Sequence, residues 1–225
     1  MNLSNLRPAN QLAQQFGVKA VIYGGPGSGK TPLVDTCPSP VMLVVEPGML
    51  SMRTSNTPCY EANTPEKCDE FWEWFFQSAE PRKFDTLAID SLSQMAEIYL
   101  TRELSRWKDG RKAYGEMSRH VMAIVNRLYY TPQKHLYQIC KQSTVDENGA
   151  SKRKPYFPGQ DLNVKIPHLF DEIWHVWLNN IPGIIGAQLS IRTRESFDTM
   201  ARDRSARLNE LEPPNIGSLF TKCMS

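Results

Sequence analysis

The chain has 225 residues, 40% hydrophobic and 22% charged, a globular profile that fits one sizeable α/β domain. Its net charge of +2 excludes any argument for nucleic-acid partners from global balance; only local basic runs can suggest them. No apolar run approaches a membrane span, the N-terminal MNLSNLRPANQLAQQF has no signal-peptide core, and five cysteines without CxxC spacing imply reduced thiols in a cytoplasmic setting. Cys59 and Cys68 have no His or Cys cluster beside them to complete a metal site.

Residues 1–16 are polar, with a short helical pattern after Pro8. Val18 to Tyr23 reads as a buried strand. The next eight positions, Gly24, Gly25, Pro26, Gly27, Ser28, Gly29, Lys30 and Thr31, match G-x-x-x-x-G-K-T, the phosphate-binding loop of NTPases. Its glycines permit positive φ and leave no Cβ between backbone and ligand. Successive N–H groups then form an anion cradle, and the helix that follows is expected to add its positive end. Lys30 is placed to reach the β- and γ-phosphates, and the Thr31 hydroxyl to ligate Mg²⁺. Pro32 departs from the usual pattern: it has no N–H, so one cradle contact, toward the α-phosphate, is expected to be missing.

Leu33 to Thr36 begins a short helix, which Pro38 and Pro40 break. Val41 to Val45 is a second buried strand, ending in Glu46-Pro47-Gly48. A loop spans Asn56 to Pro65. Pro65 to Ser78 is an aromatic-rich helix whose stripe reads as core rather than as a base-stacking platform. Phe84 to Asp90 is a third strand and Ser91 to Leu104 a helix. Arg106 to Lys112 is a basic loop, Tyr114 to Tyr129 an amphipathic helix, and His135 to Cys140 a fourth strand ending in Lys141-Gln142. Residues 143–160 are the longest polar segment and are expected to be mobile. Phe170 to Leu178 and Gly186 to Arg194 look like two more strands around the turn NNIPG. Phe197 to Leu208 reads as a charged helix or turn, and residues 210–225 as an irregular tail.

Strands alternating with helices imply an α/β fold: a mainly parallel sheet with helices on both faces and an antiparallel C-terminal end. Ligands of such sheets sit beyond the carboxyl ends of the strands. Gly24, Glu46, Asp90 and Gln142 are therefore the positions that matter. Asp90 ends an apolar strand downstream of a phosphate loop, the pattern of an acid that holds Mg²⁺. Glu46 is placed to polarise the attacking water, with Glu97 as the nearest competitor. Gln142 carries both donor and acceptor, suiting it to sense a γ-phosphate; it reads equally as a polar exit residue. Arg202 and Arg204 project from one side of an extended segment and read either as transition-state fingers or as a solvated basic face.

These positions together resemble the phage-encoded RecA-like NTPases of the AAA-type nucleotide-binding family, which includes the Sak-type single-strand annealing recombinases. The resemblance rests on VIYGGPGSGKT, VEPG at 45–48, DTLAIDS at 85–91, AYGEMSRHV at 113–121, KPYFPGQDLNVKIPHLFDEIWHV at 154–176 and ARDRSARLNELEPPNIG at 201–217. It implies a RecA-like core over one domain, with ATP and Mg²⁺ as ligands. It implies that Glu46 is the catalytic base, and that Arg202 and Arg204 act across a subunit interface; Lys30, Asp90 and Gln142 are the catalytic candidates that the strand ends themselves supply. It also implies a ring or filament and a single-strand binding protein as companion. Single-stranded DNA is expected at the loops after the third and fourth strands: Arg106, Lys108, Arg111 and Lys112 in the first, Lys152, Arg153, Lys154 and Tyr156 in the second. Two alternatives remain: an annealing or loader switch with little hydrolysis, and a nucleotide kinase with residues 143–160 as its lid.

Overall fold

Long apolar runs make the centre of the molecule. In the computed structural model, which describes residues 6–147, 149–179 and 188–225, these runs become β1 (Lys19–Tyr23), β2 (Pro40–Val44), β4 (Thr86–Asp90), β5 (His135–Cys140) and β8 (Glu172–Asn179). With β3 (Cys59–Glu61), β9 (Gln188–Arg192), β10 (Arg202–Asp203) and β11 (Leu211–Glu212) they form a nine-stranded sheet of order β11-β9-β8-β1-β5-β4-β2-β3, with β10 paired to β8. The six strands from β8 to β3 run parallel, and β9, β10 and β11 are antiparallel additions. This is the expected α/β class.

Alternate residues of each strand face opposite sides of a sheet, and here both sides are buried. Val21, Leu43, Ile89 and Leu136 join one core, covered by α2 (Pro65–Gln77), α3 (Leu92–Arg106), α4 (Gly110–Tyr129) and α5 (Gln160–Leu169). Ala20, Ile22, Val44, Tyr137 and Trp174 join the other, closed by short 3₁₀ turns and by α6 (Ile216–Met224). Caps follow the sequence: Thr64 starts α2, Ser91 starts α3 and Asp109 starts α4, each through its side-chain oxygen.

Three expectations change, and one is narrowed. The phosphate loop is followed by a five-residue 3₁₀ turn, Pro32–Thr36, and not by an α-helix. Pro38 and Pro40 pull the chain straight into β2, so the turn adds little dipole to the cradle. The polar segment after β5 carries regular structure: β6 (Gln142–Glu147) and β7 (Ala150–Pro155) pair as a hairpin, and α5 starts at Gln160. The C-terminal tail holds α6, whose first N–H groups find Thr36 Oγ1 (from Ile216, 2.9 Å) and Asn215 Oδ1 (from Ser218, 2.9 Å). Of the helix or turn expected between Phe197 and Leu208, it is turns that form, around the short strand β10. The N-terminal helix α1 (Ala9–Gln15) buries no residue. The turn NNIPG lies, from residue 180 on, outside the described residues. Among the described residues no helix is long and apolar enough to cross a membrane.

Candidate nucleotide site

β1 delivers the chain into the loop tightly. A Cβ on Gly24 would collide with the Val176 carbonyl oxygen of β8, so only glycine passes there. Gly27 and Gly29 have φ of +72° and +83°, the left-handed turns that curl the loop. Lys30 folds back inside it. Its Nζ donates to Gly24 O (2.8 Å), Gly25 O (2.9 Å) and Ser28 Oγ (3.1 Å). Tyr137 Oη, from β5, donates to Lys30 O (2.8 Å) and fixes the exit of the loop. Burial holds the Lys30 ammonium below its ordinary pKa, opposed by the charges of Asp90 and Glu46.

Thr31 Oγ1 donates to Asp90 Oδ2 at 2.6 Å. Strand order makes this contact: β5 alone separates β1 from β4. Asp90 is 8% exposed, and burial raises its pKa while the Thr31 hydrogen bond lowers it. A hydroxyl and a carboxylate side by side are hard oxygen donors of the kind Mg²⁺ takes, with water completing its shell. Glu46 follows β2, and its N–H, like that of Val45, donates to Asp90 O (3.0 and 2.7 Å). Its carboxylate accepts from Ser91 Oγ, the hydroxyl that also caps α3 through Gln94 N (3.0 Å). Ser91 therefore aims Glu46, a role that the sequence reading did not assign. Glu97, the competitor, is tied to Lys141 Nζ (2.7 Å), which also donates to Gln94 Oε1 (2.6 Å). Gln142 opens β6 and meets His175 of β8, Oε1 to Nε2, at 3.0 Å.

Residues 17–205 match the AAA domain family, from the residues leading into β1 through the late arginines. The chain belongs to the AAA domain family. No curated protein matches it. Among solved structures it is similar to a KaiC-like protein of the hyperthermophilic archaeon Pyrococcus horikoshii, at 13% identity and a TM-score of 0.46, over 80% of this chain and 79% of that one.

The remaining candidates of this AAA domain lie away from the loop. Arg202 pairs with Ile173 near the amino end of β8, and Arg204 follows just past β10, its N–H on Glu172 Oε1 (3.1 Å), whereas the loop lies past His175. Within one chain the pair does not meet the phosphate loop. The Arg202 guanidinium donates to Pro167 O and Phe170 O and ties down the end of α5. Arg204 bonds Asp171 (3.1 Å) and His168 O (3.1 Å), with its side chain 46% exposed.

The two basic segments differ. Arg106 ends α3, Arg111 and Lys112 open α4, and with Lys108 all four are exposed. Lys112 stacks on Trp107, 3.4 Å from the ring centroid. In the hairpin, Lys152, Arg153 and Lys154 are ion-paired to Glu195, Asp198 and Glu147. Tyr156 is half-buried, its carbonyl accepting from Ser93 Oγ (2.6 Å), and Phe157 is fully buried. The five cysteines are free thiols.

Proposed function

We propose that this AAA domain is an Mg²⁺-dependent ATPase with a RecA-like core that assembles with copies of itself. It acts on single-stranded DNA in phage recombination or replication, in the host cytoplasm and alongside a single-strand binding protein. The observation that carries the reading is the convergence, at one sheet edge, of Lys30, the Thr31–Asp90 pair and a Glu46 aimed by Ser91. Lys30 and the loop amides bind the β- and γ-phosphates. Thr31 and Asp90 hold Mg²⁺, which supplies positive charge against the phosphate oxygens. Glu46 has one oxygen on Ser91 and offers the other to the proton of an attacking water. Gln142 senses the γ-phosphate. Arg204, with its exposed guanidinium, completes the site of a neighbouring copy, while Arg202 braces the segment that carries it.

Support for DNA is strongest at the α3–α4 junction. Its four cations are exposed beside Trp107 and Tyr114, a combination that neutralises phosphates and stacks bases. Against the kinase alternative stands the single arginine of its would-be lid, Arg153, which is ion-paired to Asp198 beside the β6–β7 hairpin.

The test is ATP turnover with and without single-stranded DNA, for wild type and Glu46→Gln. Loss of a general base lowers turnover about 10²–10⁴-fold while nucleotide affinity stays. A wild type no faster than Glu46→Gln replaces the ATPase with the switch. If DNA neither stimulates turnover nor shifts sedimentation, the DNA role falls and the ATPase stands. Phosphate transfer to a nucleoside monophosphate overturns both.

A further inference from the structure

β1 lies between β5 and β8, and the chain leaves all three at the same edge. Tyr23, the last residue of β1, is level with Cys140 on one side and His175 on the other. Gln142 comes two residues after Cys140. Its contact with His175 therefore bridges over the end of β1, where the phosphate loop begins. His175 is 4% exposed, its ring 4.9 Å from that of Tyr23 and 6.4 Å from that of Trp177. Nothing in the assigned chemistry uses this buried ring.

Its surroundings decide its form. Burial pushes His175 down to about 4, and the charges of Arg153 on β7, Arg192 on β9 and Lys30 in the loop push the same way, against Asp198. The ring is neutral near pH 7 and carries one N–H. An amide oxygen only accepts, so that proton sits on Nε2, facing Gln142 Oε1. A side-chain amide is otherwise free to present either end. Anchored by its oxygen, Gln142 presents its NH₂ group, which an anionic phosphate oxygen accepts from.

We propose that His175 is a positioning residue: it holds the Gln142 amide with its donor end free for the γ-phosphate, and so sets the preference for nucleoside triphosphate over diphosphate. This rests on the nucleotide-site reading above and adds to it how the sensor is aimed.

The test compares binding of ADP and of a non-hydrolysable ATP analogue, each with Mg²⁺, to the full chain by displacement of a fluorescent nucleotide. Gln142→Ala is expected to lose about tenfold of the triphosphate preference, the worth of one hydrogen bond to a charged oxygen. His175→Phe, which keeps an aromatic ring against Tyr23, should lose the same factor, and the double variant no more than either. His175→Gln restores a donor that reaches Gln142 and should recover the preference; a purely structural role would not. If His175→Phe does not fold, His175→Asn, too short to reach, supplies the loss. An unchanged preference in the folded loss variant, or losses that multiply in the double variant, overturn the inference and leave the nucleotide site standing. A wild type that binds neither nucleotide overturns both.

Discussion

Both ends of the sheet bury ionisable groups, but they do so with different partners. At the amino end, Lys19 is fully buried and donates to Thr131 O (3.3 Å) and Lys134 O. Burial lowers its pKa to about 7. Glu172, 1% exposed, accepts from Arg204 N (3.1 Å), Ser205 N (3.3 Å) and Trp174 Nε1 (3.1 Å), and burial, then Asp203, raises it to about 8. Each of these partners is backbone or a fixed ring. At the carboxyl end the side chains largely hold one another: Thr31 with Asp90, Ser91 with Glu46, His175 with Gln142. A shifted pKa marks both ends, so it does not by itself mark function. The partner does. Backbone partners inside the packed sheet fix the fold, whereas side-chain partners, and the loop carbonyls that hold Lys30, are open to exchange for a ligand.

The sharpest way to break this comparison is to remove the lysine at each end. Lys30→Ala should lower turnover by about 10²–10³-fold, as when one donor to the developing charge is lost. Its melting temperature should move less than that of Lys19→Ala, because Lys30 is only partly buried whereas Lys19 is fully buried. Lys19→Ala should do the reverse. It strips a buried donor from two carbonyls and opens a cavity, which lowers the melting temperature while the purified folded protein still turns over. Turnover assays and thermal melts on both variants check the pair. Equal stability losses would erase the distinction.

The pH dependence of stability follows from the amino end. Between about pH 4.5 and 8 the folded chain keeps a proton on Glu172 that the unfolded chain releases, so stability falls as pH rises. Between about 7 and 10.5 the unfolded chain holds the Lys19 proton that the folded chain has lost, so stability rises with pH. The two contributions oppose each other and leave a minimum between about pH 7 and 8. Glu172→Gln should flatten the acid limb and Lys19→Met the alkaline one, measured by melting across that range. A single monotonic curve unaffected by either substitution would show that neither group titrates as its surroundings dictate.

The carboxyl end was the legible one. Continuous apolar runs announce strands buried on both faces, and β5 falls on His135–Cys140 as the sequence reads. Strand ends then name Gly24, Glu46, Asp90 and Gln142. What aims them was not legible, since Ser91–Glu46 and His175–Gln142 join residues 45 and 33 positions apart through a strand order that no local pattern encodes. β3 has three residues, two of them exposed, and no apolar period. The hairpin β6–β7 did carry a turn signal, Asn148-Gly149, with Gly149 at φ +81°. Its strands, charged and lacking apolar alternation, hid it. α6 also had its pattern, Asn215 as cap and Ile216, Leu219 and Phe220 at helical spacing, obscured by the two prolines before it.

The arginine pair gives the last comparison, and stability separates its two members. Arg202→Ala leaves the Pro167 and Phe170 carbonyls unpaired and should cost about 1–3 kcal/mol by denaturant melting. Arg204 bonds Asp171 and His168 O from a half-exposed position, so Arg204→Ala should cost at most about 1 kcal/mol. Its consequence belongs to turnover instead. If Arg204 acts in a neighbour's site, Lys30→Ala and Arg204→Ala chains are each inactive alone for different reasons. Mixed, they place an intact Arg204 from the first beside an intact loop of the second, and turnover returns. The two arginines sit at the end of the sheet remote from their own loop, so recovery on mixing is what the geometry requires of any catalytic part they play. Without it, Arg204 belongs with Lys19 and Glu172 among the groups that fix the amino end.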